Sequence, residues 1–554
     1  MSWKIIEKYR RILAAETGAT RKNWGGKLTV CLVYPNRYRI AMGNLGFQAV
    51  YALLNSYQDI VCERAFIPDP EEAAEYRKSG MRLLSLESQR PLTDFDLIAF
   101  SVSFESDYLH MPDIFSLAGI PPLAADRRNS HPLVMAGGAA LFLNPEPVAD
   151  FLDLVCVGEA EPILPGLLET LRGGAQKQDL LRSTAGLPGI YVPFLYEAAY
   201  DGDRLVSFRN FDGAPARVRR LWAEELDRLP TTSVILSREA EFSDMFLVEL
   251  SRGCPRGCRF CAAGFIYLPY RQRGLEEIKD QAIRGLAERG RIGLVGAALS
   301  DYQGIGELCR HILREGGKIS VSSLRIDGLD DGMIDVLKAS GHKTVALAPE
   351  GGSQRLRDLI RKGISEEQIL AACDRLIGRG ILNLKLYFII GLPTETDDDM
   401  EEMIALVKKI RERVIDAARQ TGRLGSVTLS INPFIPKPFT PFQWCAMEGA
   451  SLLEEKGKFL RKSVGKLSNV AIQMEGVKDA CLQALLSRGD RRLAALLLKS
   501  GELGSWKKAA RELDVDVNRL VTRSIPRDEL LPWDFIEGGD KPRLEREFRL
   551  AFGD

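Results

Sequence analysis

Twice along its length this chain alternates short, almost wholly apolar runs with amphipathic stretches of helical period, and that pattern leaves few folds open. In the first region, residues 27–172, the runs are LTVCLVY, DIVCERAF, DLIAFSVS, PLVMAGG and DLVCVGE. Four of the five are apolar nearly throughout, as strands are when a parallel sheet is covered on both faces. The alternation predicts a doubly wound, Rossmann-like α/β domain. In the second region, residues 240–440, the runs are FLVELSRG, IGLVGAALS, KISVSSLRID, KTVALAPE, NLKLYFIIGLP and SVTLSINPF. Strand and helix units in that number predict a full or partial β/α barrel of the TIM type.

The remaining chain is read as a helical segment over 1–26, a connector with short strands over 173–239, and a mostly helical C-terminal region over 441–554. Pro433, Pro436, Pro438 and Pro441 break regular structure ahead of that last region. Thr396, three residues before Asp399, marks a helix start. A chain of 554 residues exceeds one core, so several domains are expected. The 75 basic and 75 acidic residues balance, so no net field draws in nucleic acid or an anionic membrane. No run approaches the roughly 18 apolar residues of a transmembrane helix, and MSWKIIEKYRRILAAETGATRKNWGG carries no apolar signal core. Cys31, Cys62, Cys156, Cys309, Cys373, Cys445 and Cys481 are scattered singly and read as buried thiols of a reducing compartment. The expected location is the cytoplasm.

Against that scatter, SRGCPRGCRFCAAG groups Cys254, Cys258 and Cys261 as CxxxCxxC with no fourth cysteine or histidine nearby. Structural zinc takes a closed set of four ligands, whereas three thiolates on one tight loop hold three corners of a 4Fe-4S cubane and leave one iron open. A zinc site completed by a remote residue, or three unrelated thiols, is the competing reading. Gly253, Pro255 and Gly257 favour a turn, and Arg252, Arg256 and Arg259 supply positive charge suited to thiolates.

CxxxCxxC directly after the first barrel strand resembles the radical SAM superfamily. The resemblance implies that the open iron binds the amino and carboxylate groups of S-adenosylmethionine (SAM). It further implies that one electron, from a donor such as flavodoxin or ferredoxin, cleaves SAM to methionine and a 5'-deoxyadenosyl radical. It places Phe260 near the adenine, although Phe260 reads equally well as core. The superfamily's GGE-like segment is GAALSD here, where Ser300 or Asp301 substitutes. Ser323 and Arg325 of SSLRIDG match positions near the sulfonium and carboxylate, and Glu350 and Arg357 of APEGGSQRLR match ribose and carboxylate positions. Each also reads as an ordinary strand-end ion-pairing or hydrogen-bonding residue. Lys385 alternates with apolar neighbours and points into the barrel, to bind substrate or, the favoured reading, to pair with Glu350.

An α/β domain ahead of such a barrel resembles the cobalamin-binding domain of one large subgroup, through FSVSFES, AGGAALFLNPEP and VGEAEP. Ser101, Ser103, Gly137, Gly138, Gly158 and Glu159 would then sit at strand C-termini, where open α/β sheets receive ligands. An empty scaffold of tight turns is the bland alternative. A dinucleotide domain would need GxGxxG after the first strand, where this chain has YPNRYRIAMGNLG. The cobalamin signature DxHxxG is also absent, and none of His110, His131, His311 and His342 lies in one.

The expectation is therefore a radical SAM enzyme with a 4Fe-4S cluster, SAM and cobalamin that methylates or rearranges an unactivated carbon. The alternatives are a methylthiotransferase-like or other RNA-modifying radical enzyme and a non-catalytic cobalamin- or SAM-sensing interaction protein. The first alternative expects three grouped cysteines in the N-terminal domain. The basic stretches KKAAR, SRGDRR and GKFLRK read better as solvated helix faces than as an RNA surface.

Overall fold

The computed structural model describes residues 3–173, 176–321 and 324–553. These form two compact units, each assembled from more than one stretch of chain. The first comprises Met1–Ser243, Leu486–Asp516 and Asp528–Gly538; the second comprises Asp244–Leu485, Val517–Arg527 and Gly539–Asp554.

In the first unit, β1 (Leu28–Tyr34), β2 (Ile60–Phe66), β3 (Leu97–Ser101), β4 (Leu133–Gly137) and β5 (Leu154–Cys156) form a parallel sheet, and β6 (Ile190–Tyr191) closes its edge antiparallel to β5. The order β2-β1-β3-β4-β5-β6 makes β1 and β3 neighbours, so the chain reverses its direction of growth there. That reversal is the switch point at which doubly wound sheets open a ligand crevice. All seven residues of β2 are buried although it is an edge strand. Its covering is polar: Arg64 is fully buried between Glu16 and Glu87, and Trp24 Nε1 donates to Glu63. The connector supplies the hairpin β7 (Tyr196–Asp201) and β8 (Arg204–Asn210) and the short β9 (Val218–Arg219), which pairs with Ile536–Glu537. The helix Leu493–Leu503, far along the chain, packs on Glu105–His110 and Glu146–Phe151 of this unit. Arg491 secures it through Glu146 (2.9 Å), the Tyr191 hydroxyl (2.9 Å) and the Tyr196 carbonyl (2.9 Å).

The second unit carries the barrel strands. β10 (Phe246–Glu249), β13 (Arg291–Val295) and β14 (Lys318–Val321) form one parallel sheet, and β15 (Thr344–Glu350), β16 (Asn383–Ile390), β17 (Val427–Pro433) and β18 (Val470–Met474) form another, with the hairpin β11 (Ser251–Arg252) and β12 (Arg271–Gln272) beside the cysteine loop. The six strands expected from sequence are all present. β18 is added from a region whose helical period gave no sign of it, because its half-exposed residues lack the apolar run that marked the others. β15 and β17 alternate buried with half-buried or exposed residues along their length. One face is therefore buried and the other is left partly open. The helix Asp397–Thr421 begins where the sequence marked it, with Asp399 Oδ2 accepting from Thr396 N–H (2.8 Å) and Oγ1 (2.9 Å). The described residues contain no helix long and apolar enough to cross a membrane.

Candidate functional site

The cysteine loop follows β10 and β11, and its shape is fixed by close backbone approaches. Gly253 has φ +85°, and a Cβ there would stand 2.5 Å from the Tyr267 carbonyl oxygen; one on Gly264 would stand 2.5 Å from the Arg256 carbonyl oxygen. Only glycine fits at either place. Cys261 N–H donates to the Cys258 carbonyl (3.1 Å), and Arg259 N–H reaches the Ile360 carbonyl (3.0 Å), tying the loop to the segment after β15. Cys258 is buried, Cys254 and Cys261 are half-buried, and all three are free thiols.

The three thiols lie within electrostatic reach of one another. Burial pushes the Cys254 thiol up, against a hydrogen bond from the backbone of Arg256, with Cys258 and Asp301 adding negative charge. Burial pushes Cys261 up to about 11, with Cys258, Cys254 and Glu350 also in range. Among the described residues no three His, Cys, Asp or Glu side chains converge on a single metal-ion position. Three corners of a cubane ligate separate irons, so such thiolates need not converge on one ion. His342 does not complete a zinc site, since its Nε2 is bound to the Ile319 carbonyl at the opposite, N-terminal end of β14. The donor set fits three corners of a 4Fe-4S cluster.

Around the loop, several expected residues come together. Ser300 Oγ accepts from Arg325 N–H (3.3 Å). Arg325 forms a fork on Asp327 (2.9 and 3.0 Å), and its Nη2 also donates to the Lys362 carbonyl (3.3 Å). Nη1 is left without an acceptor among the described residues. Asp327 and Asp301 also receive Arg256, which locks the cysteine loop to the ends of the next two strands. Burial alone would raise the Asp327 carboxyl, but Arg325 and Arg256 outweigh it and hold it below the ordinary range. Glu350 ends β15 with φ +65°, a left-handed backbone that a non-glycine residue adopts only under constraint. Ser323 lies outside the described residues.

Two expectations need correction. Arg357 is 1% exposed, and its guanidinium donates to the carbonyls of Gly351, Gly352 and Ile364 and to Gln354 Oε1 at 3.0–3.2 Å. It holds the turn after β15 with four of its five N–H donors, a structural role in place of the expected SAM contact. Glu350 pairs with Lys362 (3.3 Å), not Lys385, because Lys362 sits in the turn beyond Arg357 while Lys385 lies lower on β16. Phe260, half-buried, packs against a core cluster that includes Leu356, Ile360, Phe434 and Phe442 together with Ile389 and Leu392 at the IIGLP strand end.

In the first unit, Ser101 and Gly137 are register partners at the ends of β3 and β4, and with Ser103 and Gly138 they are half-exposed. Gly138 has φ +114°, and a Cβ would stand 2.3 Å from the Val102 carbonyl oxygen, so the glycine serves a close approach between strand ends. Gly158 and Glu159 do not face a ligand crevice. Gly158 bridges to Leu221, and Glu159 Oε2 accepts from Ala223 N–H (2.9 Å), so the connector covers both.

Sequence reasoning missed the residues that meet across the switch point. Asn36, after β1, donates to Asp107 (2.8 Å), after β3; His110 Nδ1 donates to the Pro35 carbonyl (2.7 Å). Asn44 joins Ser103 (3.0 Å) to the start of the helix Leu45–Ser56. Asp107 is 1% exposed, and its Oδ2 has no hydrogen-bond partner among the described residues. Burial raises its carboxyl to about 6, against the Asn36 hydrogen bond. Phe104 and Phe242 stand exposed on the same unit, Phe242 against Gly43 beside Asn44. FSVSFES and the asparagine-bearing turn YPNRYR were the available signal.

Residues 248–407, which contain the cysteine loop and the ends of β10 through β16, match the family described as the radical SAM superfamily, and residues 46–193 match radical SAM proteins, N-terminal. The chain belongs to the radical SAM superfamily. A 4Fe-4S cluster and SAM are the cofactors that membership carries. An uncharacterised protein of Methanocaldococcus jannaschii is 30% identical over 511 residues, covering 91% of this chain and 98% of that one. The tRNA-2-methylthio-N(6)-dimethylallyladenosine synthase of Bartonella quintana is 24% identical over 41% of this chain and 53% of its own length. The chain thus matches about half of that relative. The solved structure of the radical SAM methyltransferase TsrM from Kitasatospora setae, with cobalamin and [4Fe-4S] cluster bound, aligns at 14% identity and a TM-score of 0.45 over 73% of this chain and 72% of that one. A likeness of that degree decides neither fold nor chemistry.

Proposed function

We propose that this radical SAM enzyme binds its cluster through Cys254, Cys258 and Cys261, takes cobalamin in its first unit, and methylates an unactivated carbon. A cluster held by Cys254, Cys258 and Cys261 would supply the electron that cleaves SAM and so the means to remove a substrate hydrogen. Cobalamin, when bound, supplies the methyl group.

The chain's own residues have separable tasks in this reading. Arg325, oriented by its fork on Asp327, offers Nη1 to the SAM carboxylate. Ser300, held against the Arg325 backbone, takes the place of the missing GGE segment. Glu350, constrained by its backbone and by Lys362, offers its second carboxylate oxygen to the ribose hydroxyls. Arg256 keeps the loop in register with both strand ends.

The observation that carries the cobalamin part is the β1/β3 switch point. It places half-exposed Ser101, Ser103, Gly137 and Gly138 at neighbouring strand ends, beside a buried carboxylate oxygen of Asp107 that lacks a donor. A corrin ring has an apolar face for such a glycine-lined edge and rim carboxamides to donate to such an oxygen. His110, its Nδ1 tied to the Pro35 carbonyl, stands at the same place.

The methylthiotransferase reading gains from the tRNA-modifying relatives, but among the described residues no three cysteines of the first unit gather as a second cluster site. Cys31, Cys62 and Cys156 stand on β1, β2 and β5, each buried, and burial pushes all three thiols up, Cys156 to about 12. Purification from cobalamin-fed cells tests the proposal. A corrin absorption in stoichiometric amount supports it, and its absence from folded, cluster-loaded protein refutes the cobalamin part.

A further inference from the structure

The open face of the second sheet in the barrel unit has a chemical character that SAM binding does not use. On β16 and β17 the residues alternate, with Leu384, Leu386, Leu429 and Ile431 buried on one face and Lys385, Tyr387, Thr428, Ser430 and Asn432 half-exposed on the other. Register sets Lys385 beside Thr428 and Tyr387 beside Ser430. The neighbouring strand β15 sets Ala346 beside Lys385, with Ala348 next to it in the same alternation, so the lysine has room in front of it. None of the five polar side chains hydrogen-bonds to another side chain or carbonyl among the described residues. The Lys385 ammonium lies 5.1 Å from the centre of the Tyr387 ring, which turns it toward the C-terminal end of the strand. No carboxylate among the described residues neutralises it, because Glu350 is engaged by Lys362.

We infer that Lys385 binds an anionic group, a carboxylate or a phosphoryl, on a small-molecule substrate seated against the Tyr387, Thr428, Ser430 and Asn432 face. This rests on the enzyme reading and names the substrate's chemical class. An unpaired ammonium among hydroxyl and amide groups recognises an anion carrying further hydrogen-bonding groups. Depth fixes the size. Tyr387 lies three residues below the strand end at Ile390, about 10 Å at the rise of a β-strand, so the anionic end must reach down between strands. A slender molecule does so and a nucleic-acid duplex does not. The SAM contacts proposed above lie at the strand ends, so the substrate's other end is directed toward the radical.

The test uses the full chain with its cluster reconstituted and reduced. A low-molecular-weight extract is split by anion exchange, and each fraction is assayed for stimulation of 5'-deoxyadenosine formation. The expected result is stimulation by the retained fraction alone, reduced at least tenfold in Lys385→Gln and partly restored in Lys385→Arg, with iron content as the folding control. Loss of stimulation after phosphatase treatment assigns a phosphoryl group, and resistance assigns a carboxylate. Stimulation by the unretained fraction, or only by ribonuclease-sensitive material above the filter cut-off, overturns the inference, as does undiminished stimulation of Lys385→Gln. If no fraction elicits deoxyadenosine, the enzyme reading fails with it. An independent readout is borohydride trapping of pyridoxal 5'-phosphate on the protein. Lys385 should be labelled, and inorganic phosphate should protect it; labelling spread over surface lysines with Lys385 unmodified contradicts the inference.

Discussion

Replacing Arg357 by methionine separates a structural arginine from a SAM ligand. The methionine keeps most of the buried apolar stem and removes the guanidinium, leaving the carbonyls of Gly351, Gly352 and Ile364 and the Gln354 amide oxygen without their donor. An unsatisfied buried acceptor costs about 1–3 kcal/mol, and some of these will find water, so about 3–5 kcal/mol is expected in all. A protein of two units does not unfold as one transition, so the loss belongs to local opening of residues 351–364. At about 1.4 kcal/mol per tenfold, the lower bound is an acceleration of roughly 150-fold in amide exchange across that turn. Hydrogen-exchange mass spectrometry reads it directly, and SAM affinity in protein that remains folded should change little. Unaltered exchange together with a large loss of SAM affinity would refute the reasoning and return Arg357 to the ligand set.

Other consequences follow from the same geometry. Glu350→Gln should weaken SAM binding about tenfold or more, the worth of a charge-assisted hydrogen bond, with little change in the melting profile; equilibrium dialysis measures it. Arg491→Met should cost about 3–5 kcal/mol by leaving Glu146, 1% exposed, ionised and unpaired, seen as faster exchange in residues 144–151 and 486–491. Burial pushes the Asp399 carboxyl up, but Arg355, Ser353 and Thr396 outweigh it and hold its pKa below the ordinary 3.8. Its stabilisation is therefore present above pH 4 and lost as pH falls through the folded value. Asp399→Asn should melt well below the wild type at pH 7, and the gap should narrow below pH 4.

LTVCLVY was legible because a parallel strand covered on both faces must be apolar, and NLKLYFII because its apolar positions alternate with half-exposed ones before an apolar end. β18 was not, since a half-exposed edge strand has no such demand on VAIQM. Tertiary assembly was equally hidden: nothing local tells that Arg491 belongs with Glu146, 345 positions away. The cysteine loop was readable from spacing alone, and Ser300 and Arg325, which meet beside it, were picked out by the family resemblance. Arg357 misled because an arginine after a strand looks the same whether it faces a ligand or caps its own turn. Lys362 and Asp327 were missed because each acts through another side chain, and a sequence does not print which partner a flexible cation selects.

Anaerobic reconstitution with iron and sulfide, followed by electron paramagnetic resonance of the reduced protein with and without SAM, tests the central claim most directly. The account predicts about four irons per chain, a spectrum that changes when SAM is added, and loss of both in Cys258→Ala. One tightly held zinc in place of the cluster, or a cluster whose spectrum ignores SAM, would contradict it.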